Sequence, residues 1–524
     1  MEDKKKIKIY YGLLITLVVF MGVSYAWFRL KLTQTNSNVI GTRTCLDASL
    51  TEKTSKITLS DAFPISDEDG LKQTPFTFTL KNNCDSYVKV YITIDSKYRE
   101  STSAAYLKDS FLKVNLSSKG TTDGSSVLLG SQTLTELEGT NKGYILVTTG
   151  LKANEEKSYD LRVWMDGETS IEDGLNKNWE GKIVVVGVAA NEPATLRETI
   201  LANNEVKTPI TTPGTAVSTD DEAILASTED DYGTSYYFRG AVKNNYVQFA
   251  NKCWRIVRVG GDGSVKLILH NDNTAKAANP CDAANNSATA AFARYSGEKY
   301  TSAFNEKGED NAYVGFKFGT PGSSTYEATH ANTNKSTILT NLETWYNNND
   351  NNFKKYEKVI ADTVWCNDKT NVTDTTFNPY GYSNVNGQGY AKNITYYGAT
   401  QRLISTSNSA GGTGPSLKCN GNLSKITSKV GLITADELAF AGYAFNLSNT
   451  TTYLQENATD SWWWSLSPNY FYVDAGVWFV FGNNGLFIFR NVPDVGGVRP
   501  SISLISSVTI SGGTGTSEDP YIIN

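Results

Sequence analysis

A run of twenty residues without charge, Ile9 to Phe28, follows Lys4, Lys5, Lys6 and Lys8 and dictates where the rest of the chain must fold. At about 1.5 Å per residue, a helix of that length crosses a hydrocarbon core of about 30 Å. Clustered lysines stay on the cytoplasmic side, so everything after Phe28 is expected outside. Two outcomes are open for residues 1–33. The run is a permanent membrane anchor that leaves the C-terminus at the cell surface, or it is a signal peptide cut near Ala26, where Ser24-Tyr25-Ala26 offers small residues to a peptidase and the product is secreted.

An exported chain folds in an oxidising compartment, and the cysteines agree with that. Cys45, Cys84, Cys253, Cys281, Cys366 and Cys419 are even in number and include no Cys-x-x-Cys, so disulfides are expected. Proximity favours 45–84, 253–281 and 366–419 among the pairings that six cysteines allow. Only two histidines exist, His270 and His330, which argues against a zinc site. Neither accompanies a nucleophile motif such as Gly-x-Ser-x-Gly, and both read as surface or loop residues. No catalytic residue and no cofactor is therefore expected. Net charge is 48 − 54 = −6 with no long Lys/Arg block after the N-terminus, which excludes the footprint of a nucleic-acid binder. The densest acidic cluster of the C-terminal part, Glu229-Asp230-Asp231, reads as a solvated turn, with a calcium role as the alternative.

Residues 34–190 read as an all-β sandwich domain. Phe76, Phe78 and Leu80 alternate with threonines, and Val88, Val90, Ile92 and Ile94 alternate on one face, with turns rich in Asn, Gly and Asp between such runs. Residues 191–228 read as a short helix, Ala194 to Asn203, followed by a Pro/Gly/Thr linker. Residues 229–524 form a larger α+β domain. Within it, Cys253 to Val259 and Ser264 to His270 flank Gly260-Gly261-Asp262-Gly263, a hairpin signal. Ser336 to Tyr346 and Thr434 to Ala444 read as helices, the second with a Thr434/Glu437 capping box.

Two resemblances add to this reading. Gly22-Val23-Ser24-Tyr25-Ala26-Trp27-Phe28 resembles the export segment of camelysin-like and biofilm-fibre proteins of Gram-positive bacteria, which implies a β-sandwich able to assemble into fibres. Trp463-Trp464-Ser465-Leu466-Ser467-Pro468, Trp478, Gly482-Asn483-Asn484-Gly485 and Gly497-Val498-Arg499-Pro500 resemble a C-type-lectin-like domain. The subgroup is that of formylglycine-generating enzymes and retroelement-diversified variable proteins. In the variable proteins the corresponding stretch, here Asn469 through Asp494, is a ligand-binding face. Departures are equally plain. No cysteine follows Cys419, where the enzymes carry a pair, and Trp365-Cys366-Asn367-Asp368 interrupts the Trp-Asn-Asp of calcium-dependent lectins. Val492-Pro493-Asp494 matches a Pro-centred calcium loop only loosely.

The aromatic stretch is where binding competes with plain packing. Gly482 to Gly485 should turn a hairpin that pairs Val477–Phe481 with Leu486–Arg490. Alternation sets Trp478 and Val480 on one face and Phe479 and Phe481 on the other. With the first pair in the core, a recognition face is expected from Tyr470, Tyr472, Asp474, Phe479, Phe481, Phe489, Asn491 and Asp494; the competing arrangement buries both faces. Arg499 is expected to tie the last strand to a carboxylate. The chain thus reads as an exported, adhesin-like protein that binds an extracellular glycan or protein. A structural envelope or fibre subunit is the alternative, and a glycan-acting enzyme comes third.

Overall fold

The computed structural model describes residues 30–32, 63–96, 99, 101–119, 126–177, 179–295, 297–348, 351 and 353–523. The expected span Ile9–Phe28 and the expected partner cysteine Cys45 lie outside them. Among the described residues no helix is long and apolar enough to cross a membrane. Strands dominate, and the chain divides into two compact units, residues 1–192 and 193–524.

Unit one is β-sandwich-like. Its strands are β1 Leu30–Leu32, β2 Phe76–Lys81, β3 Val88–Ser96, β4 Leu112–Ser118, β5 Ser126–Thr133, β6 Gly139–Thr140, β7 Gly143–Leu151, β8 Glu156–Met165 and β9 Trp179–Ala189. One sheet runs β1-β9-β3-β7-β6 and the other β2-β8-β4-β5. The alternation seen in the sequence does its work here. Phe76, Phe78 and Leu80 from one sheet share a core with Val88, Val90, Ile92 and Ile94 from the other. The intervening threonines are covered too: Thr77 and Thr79 bond to Asp160 at 2.5 Å and Ser158 at 2.7 Å on β8. One charge enters this core. Asp109 is held by the Trp179 indole at 2.7 Å and the Tyr144 hydroxyl at 3.1 Å, so its carboxylate is not left bare. Cys84 is buried in the same core.

Unit two starts where a linker was expected. The helix Leu196–Asn203 opens with a Thr195/Glu198 capping box and buries Leu196 and Ile200 in the second core. The Pro/Gly/Thr stretch after it is packed rather than free. Val217 is buried, and the buried Arg239 donates to the Thr211 hydroxyl at 2.8 Å and the Thr215 carbonyl at 3.0 Å. The Ala439 and Phe440 carbonyls take the other terminal nitrogen at 3.1 Å each, and Nε lies 3.7 Å from the Glu222 carboxylate; composition does not announce such a role.

The larger sheet of this unit contains β10 Ile224–Asp230, β11 Gly233–Arg239, β12 Tyr246–Phe249, β13 Lys252–Val259 and β14 Val265–Asn271, extended by Ser501–Leu504, Ile510–Gly512 and Tyr521–Ile523. β13 and β14 form the expected hairpin, with Val259 opposite Val265 and Gly263 at φ +81° in the turn. A second sheet carries Trp463–Tyr472, Asp474–Val480 and Phe487–Asn491, with Thr395–Tyr396 paired to the first of these. Helices Thr337–Asn347 and Ala435–Ala441 pack into the same core, the second with the expected Thr434/Glu437 box.

Two disulfides close this unit, Cys253–Cys281 and Cys366–Cys419, as proximity predicted. They span 28 and 53 residues, and loops of that size restrict the unfolded chain by about 3–4 kcal/mol each in the chain-entropy model. Thermal melts of the full chain with and without reductant are expected to show unit two losing several degrees per bond. An unchanged melting point with both bonds reduced would remove them from the stability of the fold.

Candidate ligand-binding face

The site is best built from the hairpin register. Val480 lies opposite Phe487, Phe479 opposite Ile488, Trp478 opposite Phe489, Val477 opposite Arg490 and Gly476 opposite Asn491. On the other side, Tyr470 lies opposite Gly476 and Tyr472 opposite Asp474. Because successive side chains alternate, the eight expected site residues fall on two faces. Tyr470, Tyr472, Asp474, Phe489 and Asn491 share one; Phe479 and Phe481 occupy the other, joined there by Arg490 and its partner Asp494.

The second face is not an open binding surface. Phe479 is 1% exposed, which corrects the expectation that it points to solvent. Trp462 and Phe481 meet its ring edge-on, with centroids at 5.1 and 4.8 Å, and the Arg490 guanidinium lies 4.8 Å above Trp462. Asp494 anchors that guanidinium at 2.7 Å, so its carboxylate is already engaged. Trp478 is also fully buried, against Phe487 and Phe445. Both faces of the hairpin are therefore covered at this point, by strand-borne and loop-borne rings alike.

The first face continues outward into a tyrosine platform. Tyr470 packs on Phe489 at 4.9 Å, and its hydroxyl donates to Asn491 at 3.0 Å. Tyr380, Tyr382 and Tyr396, which the hairpin pattern did not reveal, complete it. Tyr380 packs on Phe489 at 4.8 Å and donates to Asn469 at 3.0 Å, and Tyr396 donates to Asn378 at 2.8 Å. At the outer edge Tyr382 stacks flat on Tyr472, with centroids 4.1 Å apart and planes 6° apart. Tyr472 is 37% exposed. Burial pushes the phenols of Tyr380, Tyr396 and Tyr470 upward, so they stay protonated donors at any physiological pH. The signal for the missing tyrosines was present: Tyr380-Gly381-Tyr382 repeats the spacing of Tyr470 and Tyr472 inside a loop of Asn and Gly.

Two local features mark the platform edge. Val473, between Tyr472 and Asp474, has φ +64° and is 69% exposed. A β-branched residue in the left-handed region is strained, by about 1–3 kcal/mol, and here it presents apolar surface to water. Beneath the rings, Asn469 is fully buried, and its amide nitrogen has no hydrogen-bond partner in the structure.

Three other sequence expectations are corrected by the structure. Arg499 binds no carboxylate; its guanidinium donates to the carbonyls of Leu269, at 3.0 Å, and Leu454, and lies over the Trp463 ring. His270 and His330 are fully buried rather than at the surface. Burial lowers the basicity of both, and His330, whose Nε2 meets the Gly389 carbonyl at 2.8 Å, is held at about 3. Asp230 is not a solvated turn residue either. It is 6% exposed and accepts from Arg258 at 2.9 Å and from the Gly261 amide at 2.9 Å. Among the described residues no group of His, Cys, Asp and Glu is arranged to hold a metal.

No family model matches the chain, and no characterised relative matches its sequence. Among solved structures it is similar to the ASH/PapD-like domain 7 of human CEP192 at 8% identity, over 30% of this chain and 84% of that one, with a TM-score of 0.09. It is also similar to the E. coli chaperone DraB at 10% identity, over 45% of this chain and 93% of that one, with a TM-score of 0.11. Both scores are too low to assign a fold or a role.

Proposed function

We propose that the chain is an exported surface protein whose second unit, a C-type-lectin-like domain, recognises an extracellular glycan or protein through the tyrosine platform. The observation that carries this reading is the edge formed by Tyr472, stacked on Tyr382, and the exposed, strained Val473 beside it. Flat rings supply contact area with few rotors to freeze, and the neighbouring Asp474 and Asn491 supply orientation. Two disulfides in unit two suit an oxidising compartment, and the basic, then uncharged N-terminus suits passage through a membrane.

Tyr472→Ala is expected to weaken ligand binding by about 2 kcal/mol or more while leaving the melting temperature nearly unchanged, because the ring is half outside the fold. A glycan array followed by titration of the positive ligand checks this. A positive ligand that binds the variant and the parent equally would remove the platform from the site.

A second reading, a fibre subunit acting by strand exchange, draws on one observation. β1, immediately after the uncharged run, adds in parallel to the edge of β9, with Leu30 opposite Trp179 and Leu32 opposite Gly181. An edge that accepts one short strand is chemically able to accept the same strand from another copy. Concentration-dependent filaments that vanish on deletion of residues 30–32 would favour this reading over recognition.

A further inference from the structure

Away from the platform, unit two carries an open groove of about 760 Å³, within the size range of small-ligand sites, about 300–1,000 Å³. It is lined by the 241–246 and 450–459 segments, Ala283, Asn483 and the C-terminal loop around Glu518. We propose that this groove is a second ligand site, and that it takes a primary ammonium carried on a hydroxyl-rich molecule, the chemistry of an amino sugar.

Glu456 is the lining carboxylate held by buried partners. Its Oε2 accepts from the Tyr246 hydroxyl at 3.0 Å and from Arg255 at 3.1 Å. Arg255 cannot follow a ligand: it is fully buried, bonded to Asn245 at 2.7 Å and the Val242 carbonyl at 2.6 Å, with its guanidinium 3.7 Å above the Tyr246 ring. Oε1, by contrast, has among the described residues only the Asn286 amide at 3.3 Å. An ionised carboxylate offers about four acceptor positions, so a rigidly held Oε1 is left with acceptor capacity to spare. The side chain is 44% exposed, so this capacity is open to solvent.

The surroundings set the ligand class. Arg255 already balances Glu456 through Oε2, and Glu518 shares the lining with Lys243, so what selects the ligand is the spare acceptor capacity of Oε1, which suits a hydrogen-bond donor such as an ammonium and not an anion. Hydroxyl and amide groups of Thr450, Thr452 and Asn483 suit a polar, hydroxylated body rather than an apolar one. Tyr453 forms a fixed wall of the same groove, buried at 3% exposure with the Arg255 guanidinium 5.3 Å from its ring. The C-terminal loop is itself pinned, through the Tyr246 amide to the Gly515 carbonyl at 2.8 Å and Asn279 to the Ser517 carbonyl at 2.9 Å, so the groove is formed before any ligand arrives.

Calorimetric titration of the full chain with glucosamine and with N-acetylglucosamine at neutral pH tests the assignment. Glucosamine is expected to bind saturably, and the acetylated sugar at least about tenfold more weakly, since the charge-assisted bond is gone. Glu456→Gln is expected to weaken glucosamine about tenfold. Glu518→Gln, at a position outside the core, is expected to weaken it measurably with an unchanged melting temperature, which guards against a folding defect in the first variant. Tyr472→Ala is expected to change nothing. Absence of saturable binding, equal affinity for both sugars, or indifference to both glutamate variants overturns the proposal. Loss in Tyr472→Ala alone moves the ligand to the platform.

Discussion

Glu437→Ala is expected to destabilise unit two by about 3–5 kcal/mol, the cost of leaving the buried Lys266 ammonium without its carboxylate. Glu437 is 4% exposed, and one of its oxygens accepts from Lys266 at 2.6 Å and from Arg258 at 2.9 Å. Arg258 also donates to Asp230, so two carboxylates share that guanidinium while Lys266 depends on Glu437. Its other oxygen accepts from the Thr434 amide at 2.9 Å and closes the capping box of the helix Ala435–Ala441. Glu437→Gln separates the two roles, because it keeps the cap and loses the charge. Chemical denaturation is expected to place Gln close to Ala, since the stranded Lys266 charge dominates and the cap contributes only about 1 kcal/mol. A Gln variant as stable as the parent would make Glu437 a capping residue and nothing more.

The same carboxylate sets an acid response. Burial pushes the Glu437 carboxyl up, but Lys266 and Arg258 together outweigh it and hold the group down at about 2. A folded value below the unfolded one contributes stability above the unfolded carboxyl range and loses it as pH falls toward 2. His330 adds to this in a higher window. Held neutral at about 3 by burial, it is protonated in the unfolded chain below about 6.5, so stability falls from there downward. Denaturation midpoints between pH 7 and 3 are expected to decline, and Glu437→Gln is expected to flatten the lower part of that decline.

What the sequence made legible follows from the range of its patterns. Period-two alternation in Phe76–Leu80 and Val88–Ile94 is a local signal, and those strands are where it placed them. The Gly260–Gly263 turn and the Thr434/Glu437 box are short-range as well, and both are present. The cysteine pairs of unit two were legible because their partners are near in sequence. Long-range contacts were not. Nothing near Glu229-Asp230-Asp231 in the sequence announces Arg258, and nothing near Arg499 announces the carbonyl of Leu269. The platform was legible only in part for the same reason. Alternation assigns a residue to one of two faces, but which face a distant loop covers depends on Tyr380 and Tyr382, some ninety positions before their partners Tyr470 and Tyr472.

That limit is sharpest at the hairpin, where the two neighbours Trp478 and Phe479 are both expected to behave as core. Each ring is at most 1% exposed, although they point to opposite sides of the sheet. Trp478 fills the space between Phe445 and Phe487, with centroids at 5.8 and 4.6 Å. Phe479 fills the space under Trp462, Phe481 and the Arg490 guanidinium. Truncating either leaves a ring-sized void that close-packed neighbours cannot fill, at a cost of about 3–5 kcal/mol. Thermal melts of Trp478→Ala and Phe479→Ala are expected to show comparable losses, with ligand binding falling only as the folded fraction falls. Tyr472→Ala, on the same sheet, is expected to do the reverse. A Phe479→Ala protein that melts like the parent yet loses its ligand would place the binding surface on the Phe479 face and leave the tyrosine platform as packing.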